Sequence, residues 1–177
     1  MYNEAILELA NTNLKSRMDH YAALGHPGCM GSVDCTRLLW ARCPKALRNF
    51  ATGKEKAPAV SFLVVCDHNR QVIYVSEHGY LGGMNDINIS NLDPMMVSLR
   101  SGDFANVPFS LVLPDGKRLH CYGAYFISDN GFFESSVLMD PPKNRHTEIE
   151  TLWAEWLESS RKDIECFFVV SKWYIVS

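Results

Sequence analysis

The stretch that decides the fold is Gly31-Ser32-Val33-Asp34-Cys35-Thr36-Arg37. Small residues lead into an apolar residue, which is followed by an aspartate and then by residues that favour β structure. This pattern predicts the end of a buried strand with the carboxylate of Asp34 at its tip. Because its neighbours are small and apolar, a purely solvated role for Asp34 is unfavourable.

Two more strands are predicted after the first. Residues 60–66 form a nearly continuous apolar run, which indicates a central strand, and residues 71–76 return after a polar turn at 67–70. A strand, a short polar loop and a second strand predict an antiparallel hairpin. With a strand over residues 33–40, the sequence predicts a three-stranded meander whose first member carries Asp34.

A second aspartate follows a glycine-rich loop, in the sequence Gly79-Tyr80-Leu81-Gly82-Gly83-Met84-Asn85-Asp86-Ile87-Asn88. This loop leads into a helix predicted over residues 86–100, which Asn85 or Asp86 would cap. Pro94 is predicted to interrupt or restart the helix, because proline lacks the amide hydrogen that a helix interior needs. Asp86 is therefore either a ligand or a simple helix cap.

The third aspartate, Asp129, comes at the end of a strand predicted over residues 124–128. A second strand is predicted over residues 109–113, and the turn at 114–117 lies between the two. A loop at residues 140–146 then leads to the last helix.

The last predicted helix begins at Thr147 or Thr151 and has a strongly periodic apolar pattern. Its predicted apolar face consists of Leu152, Trp153, Trp156, Leu157, Ile164, Phe167 and Phe168. Glu165 lies on this helix, and Arg161, four residues earlier, is an alternative ion-pair partner for it. Asp163 competes with Glu165, but residues two apart on a helix point to different faces.

These acidic residues suit a site for divalent metal ions. Mg²⁺ and Mn²⁺ prefer oxygen ligands, and phosphodiester cleavage uses two such ions about 3.5–4 Å apart. Holding two dications requires three or four carboxylates from distant parts of the chain, which a mixed sheet with a packed helix can supply. The hypothesis is that Asp34, Asp86, Asp129 and Glu165 converge on a site for Mg²⁺ or Mn²⁺.

The composition bounds the class of protein. The chain has 177 residues, 47% of them hydrophobic, and a net charge of −3, which fits one globular domain. Without a gross basic excess, nucleic-acid binding would need a local patch or a partner. No secretory signal and no apolar run long enough to span a bilayer is visible, so the six cysteines are predicted to be reduced thiols in an intracellular protein without a membrane partner.

A local concentration of positive charge lies between residues 37 and 56. It consists of Arg37, Arg42, Lys45, Arg48, Lys54 and Lys56, with Trp40 and Phe50 among them. A phosphate-contacting surface beside Asp34 and a solvated loop both fit this pattern.

Short motifs recur in order from about residue 31 to residue 168. They are Gly31-Ser32-Val33-Asp34-Cys35, Trp40 with Cys43-Pro44, Gly53-Lys54-Glu55, Gly82 with Asn85-Asp86-Ile87-Asn88, Tyr125-Phe126-Ile127-Ser128-Asp129 and Glu158-Ser159-Ser160-Arg161-Lys162-Asp163-Ile164-Glu165. In these motifs the sequence resembles the nuclease domain of PIF/Harbinger-type transposases, the DDE superfamily endonucleases of the plant transposon protein type.

The resemblance implies an α/β, RNase H-like fold, in which a mixed sheet is flanked by helices. It implies that Asp34, Asp86 and Glu165 form an acidic triad, with Asp129 as a further metal ligand and Asp34 bridging the ions. The implied activity is metal-dependent cleavage of DNA strands and strand transfer in the nucleus.

The resemblance also implies partners and boundaries. The partners are transposon ends and target DNA, together with a separate DNA-binding protein or a missing N-terminal helix-turn-helix region; a homo-oligomer is compatible with it. Residues 1–28 would be a short lead-in, helical over residues 4–18, and residues 29–177 the DDE nuclease domain. From Ser171 onward the sequence leaves the family pattern, as a truncated C-terminal end would.

Three residues that follow the motifs depart from the family pattern. Cys166 stands where the family has arginine, and Val169 and Asn130 stand where it has glycine. One alternative is therefore a catalytically inactive, transposase-derived module that binds protein or DNA, or a decayed element fragment. Another is a metal-dependent ribonuclease or repair nuclease on the same fold, which would differ in its substrate.

Overall fold

A computed structural model describes residues 13–133 and 135–176, with side chains described as far as residue 169. In chain order the elements are α1 (Leu14–Ala23), β1 (Cys29–Leu39), α2 (Arg48–Ala51), β2 (Ala59–Cys66), β3 (Val72–Val75), β4 (Tyr80–Leu81), α3 (Asp86–Leu92), α4 (Pro94–Arg100), β5 (Pro108–Val112), β6 (Arg118–Tyr122), β7 (Tyr125–Ile127), β8 (Leu138–Met139) and α5 (Glu148–Val176). The predicted α/β class with a mixed sheet and flanking helices is confirmed.

One mixed sheet organises the fold, with strand order β3-β2-β1-β7-β8 and with β4 paired to the beginning of β2. β1, β2 and β3 are antiparallel neighbours, so the predicted meander is confirmed. β7 and β8 run parallel to β1 on its other side.

The position of Asp34 within its strand differs from the prediction. The antiparallel pairing of β1 with β2 continues past Asp34, which lies opposite Val64, as far as Leu39 opposite Ala59. Asp34 therefore lies near the middle of an 11-residue strand, and the prediction that it marks the strand's tip is wrong. The pairing extends because residues after Asp34 are β-formers that find partners along the whole of β2.

Apolar side chains cover both faces of the sheet, because neighbouring residues of a strand point to opposite faces. Leu63 and Val65 of β2 pack with the apolar residues of α3 and α4. Val64 and Cys66 pack with the apolar residues of α5. On the α5 side, α1 adds the fully buried Tyr21. The sheet is thus the middle layer between two layers of helix.

The predicted interruption at Pro94 is confirmed, because α3 ends at Leu92 and α4 begins at Pro94. Asp93 caps α4 by accepting a hydrogen bond from the backbone N of Met95 at 3.0 Å. Asn85 caps α3, and its Oδ1 accepts from the backbone N of Asn88 at 2.8 Å. The carboxylate of Asp86, the first residue of α3, is therefore not needed as a cap.

The region between α4 and β7 differs from the prediction. β5 pairs with β6 across the turn, in a two-stranded sheet of its own. The strand predicted over residues 124–128 is β7, which belongs to the main sheet instead. The sequence did not reveal β6, because its side chains are mostly exposed and lack the apolar alternation of a strand packed on a core.

Of the two starts predicted for the last helix, Thr147 and Thr151, the structure has the first, because α5 begins at Glu148, directly after Thr147. The Thr147 Oγ1 accepts from the backbone N of Glu150 at 3.2 Å, and the Glu150 Oε2 accepts from the backbone N of Thr147 at 2.9 Å. This reciprocal pair is a capping box. α5 then continues without a break past Cys166 and Val169, two of the three positions that depart from the family pattern.

Only part of the predicted apolar face of α5 is buried. Leu157, Ile164 and Phe168 lie in the core, whereas Leu152 is 58% exposed and Trp156 is 45% exposed. The face that packs on the sheet is thus narrower than the periodicity predicted, because one helix on one side of a sheet buries only the stripe that points at it.

The helix predicted over residues 4–18 falls partly outside the described residues, and its described part lies in α1. All six cysteines are free thiols, and Cys29, Cys43 and Cys66 are buried. Among the described residues, no helix is long and apolar enough to cross a membrane.

Candidate metal centre

Asp34 is the most central carboxylate of the candidate site. Its side chain is 18% exposed, and its Oδ1 accepts a hydrogen bond from the backbone N of Cys35 at 2.7 Å. Burial, and after it the neighbouring charge of Asp129, raises the pKa of Asp34 to about 6. Asp34 is thus a carboxylate whose negative charge is poorly solvated and available to a cation.

Asp129 lies beside Asp34 because of the strand register. Ser32 of β1 pairs with Ile127, the last residue of the parallel strand β7, and Asp34 and Asp129 each follow two residues later in the chain. The Oδ1 of Asp129 accepts from the backbone N of Gly131 at 2.8 Å, which orients the carboxylate. The structure therefore brings the first and third predicted ligands together at the carboxyl end of β7, beside the middle of β1.

Asp86 faces the same space as Asp129. A Cβ atom at Gly131 would lie 2.8 Å from the Oδ1 of Asp129 and 3.4 Å from the Oδ2 of Asp86. Both carboxylates thus border a small volume that stays open only because residue 131 is glycine. The charge of Asp86 also contributes, less than that of Asp129, to the raised pKa of Asp34.

The glycine-rich loop that carries Asp86 is docked by close backbone contacts. The backbone N of Gly82 donates to the O of Ala59 at 2.9 Å, and the N of Gly83 donates to the O of Phe50 at 3.0 Å. A Cβ at Gly83 would lie 2.4 Å from the O of Phe50, so no other residue fits there. These contacts fix the start of α3 relative to the sheet.

Arg37 neutralises Asp86 in this structure. Its Nη2 lies 2.8 Å from the Oδ1 of Asp86, and its Nη1 lies 3.7 Å from an oxygen of Glu55. The Arg37 side chain is only 13% exposed, so it does not belong to a solvated basic surface. The other cations of the basic stretch, Arg42, Lys45, Arg48, Lys54 and Lys56, are exposed.

Glu165 reaches the site only through Arg161. The Nη2 of Arg161 lies 2.6 Å from the Oε1 of Glu165, and its Nη1 lies 3.2 Å from the Oδ2 of Asp34. The alternative ion pair that the helix spacing indicated is therefore present. Asp163 instead pairs with Arg70 at 3.7 Å, which confirms that it faces away from Glu165.

The structure thus brings Asp34, Asp86 and Asp129 into one neighbourhood and attaches Glu165 to it through an arginine. Within the described part of the chain, no three acidic, histidine or cysteine side chains stand close enough to hold one metal ion. The donor set is nevertheless all oxygen, which suits Mg²⁺ or Mn²⁺, and the glycine at position 131 leaves space between two of the carboxylates. The chemical type of these ligands therefore fits Mg²⁺ or Mn²⁺.

Sequence reasoning missed the contacts that neutralise the site. The i, i+4 spacing pointed to the pairing of Arg161 with Glu165, but nothing in the sequence indicated that Arg161 also contacts Asp34, which is 127 residues away. The role of Gly131 was missed as well, since the family pattern pointed to position 130. These contacts are seen only in the folded structure, which brings residues that are distant in the chain together.

The fold and the site together define an α/β domain with a carboxylate cluster at the carboxyl end of β7, neutralised by two arginines. The sequence model of a family described as plant transposon protein matches residues 6–176. The chain therefore belongs to the plant transposon protein family and is a transposon-related protein. No curated protein and no solved structure matches it.

Proposed function

We propose that this chain is the nuclease domain of a PIF/Harbinger-type DDE transposase. The observation that carries the proposal is the adjacency of Asp34 and Asp129 across β1 and β7, with Asp86 facing the same space. The family match, which spans nearly the whole chain, supports a transposase-related activity. An RNase H-like fold belongs to this proposal, and the antiparallel meander followed by two parallel strands supports it.

The carboxylates have separable roles in the proposed reaction. Asp34, whose side chain is only 18% exposed, would be the bridging ligand, and Asp129 would be its partner from the loop that follows β7. Asp86 borders the same space as Asp129 from the start of α3. Glu165 would join the site from α5, where Arg161 connects it to Asp34.

When bound, Mg²⁺ or Mn²⁺ would activate the attacking oxygen and stabilise the leaving oxygen of a phosphodiester. The residues of the chain would hold the ions through carboxylates whose orientation is already fixed. The hydrogen bonds from Cys35 N to Asp34 and from Gly131 N to Asp129 fix each carboxylate, so that little reorganisation is needed on binding.

DNA is the proposed substrate, in the form of transposon ends and a target. The exposed cations between residues 42 and 56, with Phe50 67% exposed among them, form a surface suited to phosphate contact. A separate DNA-binding protein or an N-terminal helix-turn-helix region would supply sequence recognition, and a nuclear location and a homo-oligomer belong to the same proposal.

The test is a calorimetric Mn²⁺ titration of the full chain and of its Asp34→Ala, Asp129→Ala and Glu165→Ala variants. Saturable binding that the Asp34 and Asp129 substitutions abolish and the Glu165 substitution weakens is expected. Asp163→Ala is the matched control, because it removes a carboxylate from the same helix that faces Arg70 instead. Metal-dependent nicking of DNA is expected to be lost in Asp34→Ala and Asp129→Ala, weakened in Glu165→Ala and unchanged in Asp163→Ala.

Binding that ignores Asp34 and Asp129 would contradict the proposed metal centre. The ion pairs of Asp34, Asp86 and Glu165 with arginines specifically favour one alternative, which is a catalytically inactive module derived from a transposase. That module would bind DNA, measured by fluorescence anisotropy, equally well with and without Mn²⁺. A requirement for a 2′-hydroxyl in the cleaved strand would instead indicate a ribonuclease.

A further inference from the structure

We propose that Arg161, which joins Asp34 to Glu165, competes with a divalent cation for Asp34, and that the cation must displace it from Asp34 in order to bind. The proposal concerns the regulation of the site described above and rests on the proposed function. In this arrangement one guanidinium offsets the negative charge of two carboxylates that a metal ion would otherwise offset.

The geometry of Arg161 is that of a bridge. One guanidinium nitrogen lies 3.2 Å from the Oδ2 of Asp34 on the sheet, and another lies 2.6 Å from the Oε1 of Glu165 on the same helix. The planar fork of arginine can serve two carboxylates at once in fixed directions. Without this bridge, nothing described in the structure links the carboxylate of Glu165 to the rest of the site.

The burial of Arg161 separates it from an ordinary surface ion pair. Its side chain is 15% exposed, and its Nε is buried without a hydrogen-bond partner among the described residues. The polar contacts described for the guanidinium are therefore those of its terminal nitrogens with Asp34 and Glu165. Of the two, the contact with Asp34 is the one that joins Arg161 to the sheet.

Arg37 makes the same kind of bridge on the other side. It spans Asp86 and Glu55, is 13% exposed, and also has a buried Nε without a partner in the described part of the chain. Arginine thus neutralises three of the four carboxylates of the candidate site.

Arg161 and a divalent cation would compete for the Oδ2 of Asp34. A guanidinium and a divalent cation cannot occupy the same side of one carboxylate, because their charges repel each other strongly in a partly desolvated site. Removing the charge of Arg161 is therefore expected to raise the affinity for the metal. If Arg161 only holds the carboxylates in place, its removal is expected to have the opposite effect, because the carboxylates would move apart and metal binding would weaken.

The experiment measures Mn²⁺ affinity by calorimetry, and the melting temperature without metal, for the full chain and for Arg161→Gln. The variant is expected to bind Mn²⁺ at least about tenfold more tightly than the unmodified chain. Without metal it is expected to melt at a lower temperature, because Asp34 and Glu165 lose their shared cation. Saturating Mn²⁺ is expected to close that difference in melting temperature.

Two further variants serve as controls. Arg161→Lys keeps the charge but loses the fork, so its Mn²⁺ affinity is expected between those of the unmodified chain and Arg161→Gln. If Arg161→Gln does not fold, Arg161→Lys alone decides. Tighter Mn²⁺ binding by Arg161→Lys than by the unmodified chain supports the proposal, and equal or weaker binding overturns it. Arg145→Gln removes a cation that pairs with Glu158 of α5 at 3.0 Å, away from the site, and is expected to leave the affinity unchanged.

The outcomes distinguish this proposal from the proposed function. Mn²⁺ binding that needs Asp34 but is equal or weaker in Arg161→Gln overturns the displacement by metal and leaves the metal centre intact. Binding by Arg161→Gln alone, with none by the unmodified chain, would show that Arg161 excludes the metal from Asp34 and would overturn its displacement by the metal. No saturable binding by either protein overturns the metal centre, and the role of Arg161 with it.

Discussion

Asp129 follows the end of β7 and lies beside Asp34, since each is two residues beyond the paired residues Ser32 of β1 and Ile127 of β7. Burial, and after it the repulsion between these two carboxylates, raises the pKa of Asp34. Such a pair is unfavourable unless a cation offsets it. Arg161 supplies that cation in this structure, and its contact with Asp34 therefore contributes to the electrostatics of the carboxylate pair as well as to the packing of α5.

Gly131 is expected to be indispensable to the site. A Cβ there would lie 2.8 Å from the Oδ1 of Asp129, a distance that forces the carboxylate or the backbone to move. Gly131→Ala should lower the free energy of unfolding by about 1–3 kcal/mol through overpacking. It should also weaken Mn²⁺ binding by at least about tenfold, equal to about 1.4 kcal/mol, as measured by calorimetry.

Gly116→Ala separates the site effect of Gly131 from a general effect of losing glycine. Gly116 lies in the β5–β6 turn at a φ of +81°, where a Cβ would meet nothing within 4 Å. Alanine is strained at this φ, so this variant should lose about 1 kcal/mol of stability and keep its Mn²⁺ affinity. Unchanged Mn²⁺ affinity in Gly131→Ala would contradict the assignment of the shared space between Asp129 and Asp86.

The ion pair of Arg37 with Asp86 is expected to stabilise the fold. The Asp86 side chain is 12% exposed, so Arg37→Met would leave a nearly buried carboxylate without its cation. Breaking such a pair should lower the free energy of unfolding by about 3 kcal/mol, measured by chemical denaturation. Arg70→Met is the matched control, because Arg70 is 53% exposed and its pair with Asp163 spans 3.7 Å, so its loss should change stability by less than about 1 kcal/mol. Equal effects of the two substitutions would mean that the burial of Asp86 does not matter.

Local patterns in the sequence predicted the elements that local forces determine. The apolar run of residues 60–66 and its return predicted the β2–β3 hairpin, and Pro94 predicted the break between α3 and α4. Thr147 was one of the two starts predicted for α5, and its capping box involves only residues close in the chain. In each case the signal and the structure it specifies lie within a few residues of each other.

The features that the sequence did not predict depend on contacts between distant residues. The register of β1 with β2 sets the position of Asp34 within its strand, and the pairing of β5 with β6 sets the hairpin apart from the main sheet. The candidate site was predicted as four carboxylates, but its two arginine bridges connect residues far apart in the chain. Composition and periodicity carry no information about such contacts.

Asp93 is expected to support the site from a distance. It is fully buried, caps α4, and its Oδ2 accepts hydrogen bonds from the hydroxyls of Tyr74 and Tyr80, each at 3.2 Å. Tyr80 lies on β4, directly before the glycine-rich loop that leads to Asp86. Asp93→Ala should lower the free energy of unfolding by about 2–3 kcal/mol, because it removes both the cap and a buried acceptor. Asp93→Asn keeps a capping oxygen and should lose about half as much; a loss as large as that of alanine would show that the charge, and not the cap, is what stabilises this region.

His26 is expected to make the stability of the protein depend on pH. It is fully buried, its Nε2 lies 2.8 Å from the Oγ of Ser160 on α5, and burial lowers its pKa. The unfolded chain, in which histidine titrates near about 6.5, therefore binds the proton more readily than the folded chain does. The contribution of His26 is fully present above pH about 6.5 and is lost as the pH falls below it, by up to about 1.4 kcal/mol per pH unit. The free energy of unfolding, measured between pH 7.5 and 5, should depend less steeply on pH in His26→Gln. Part of the slope should remain, because the pKa of His68 is also lowered, by burial and by the charge of the adjacent His20. A slope in His26→Gln as steep as in the unmodified chain would mean that the buried imidazole becomes protonated without cost to the fold.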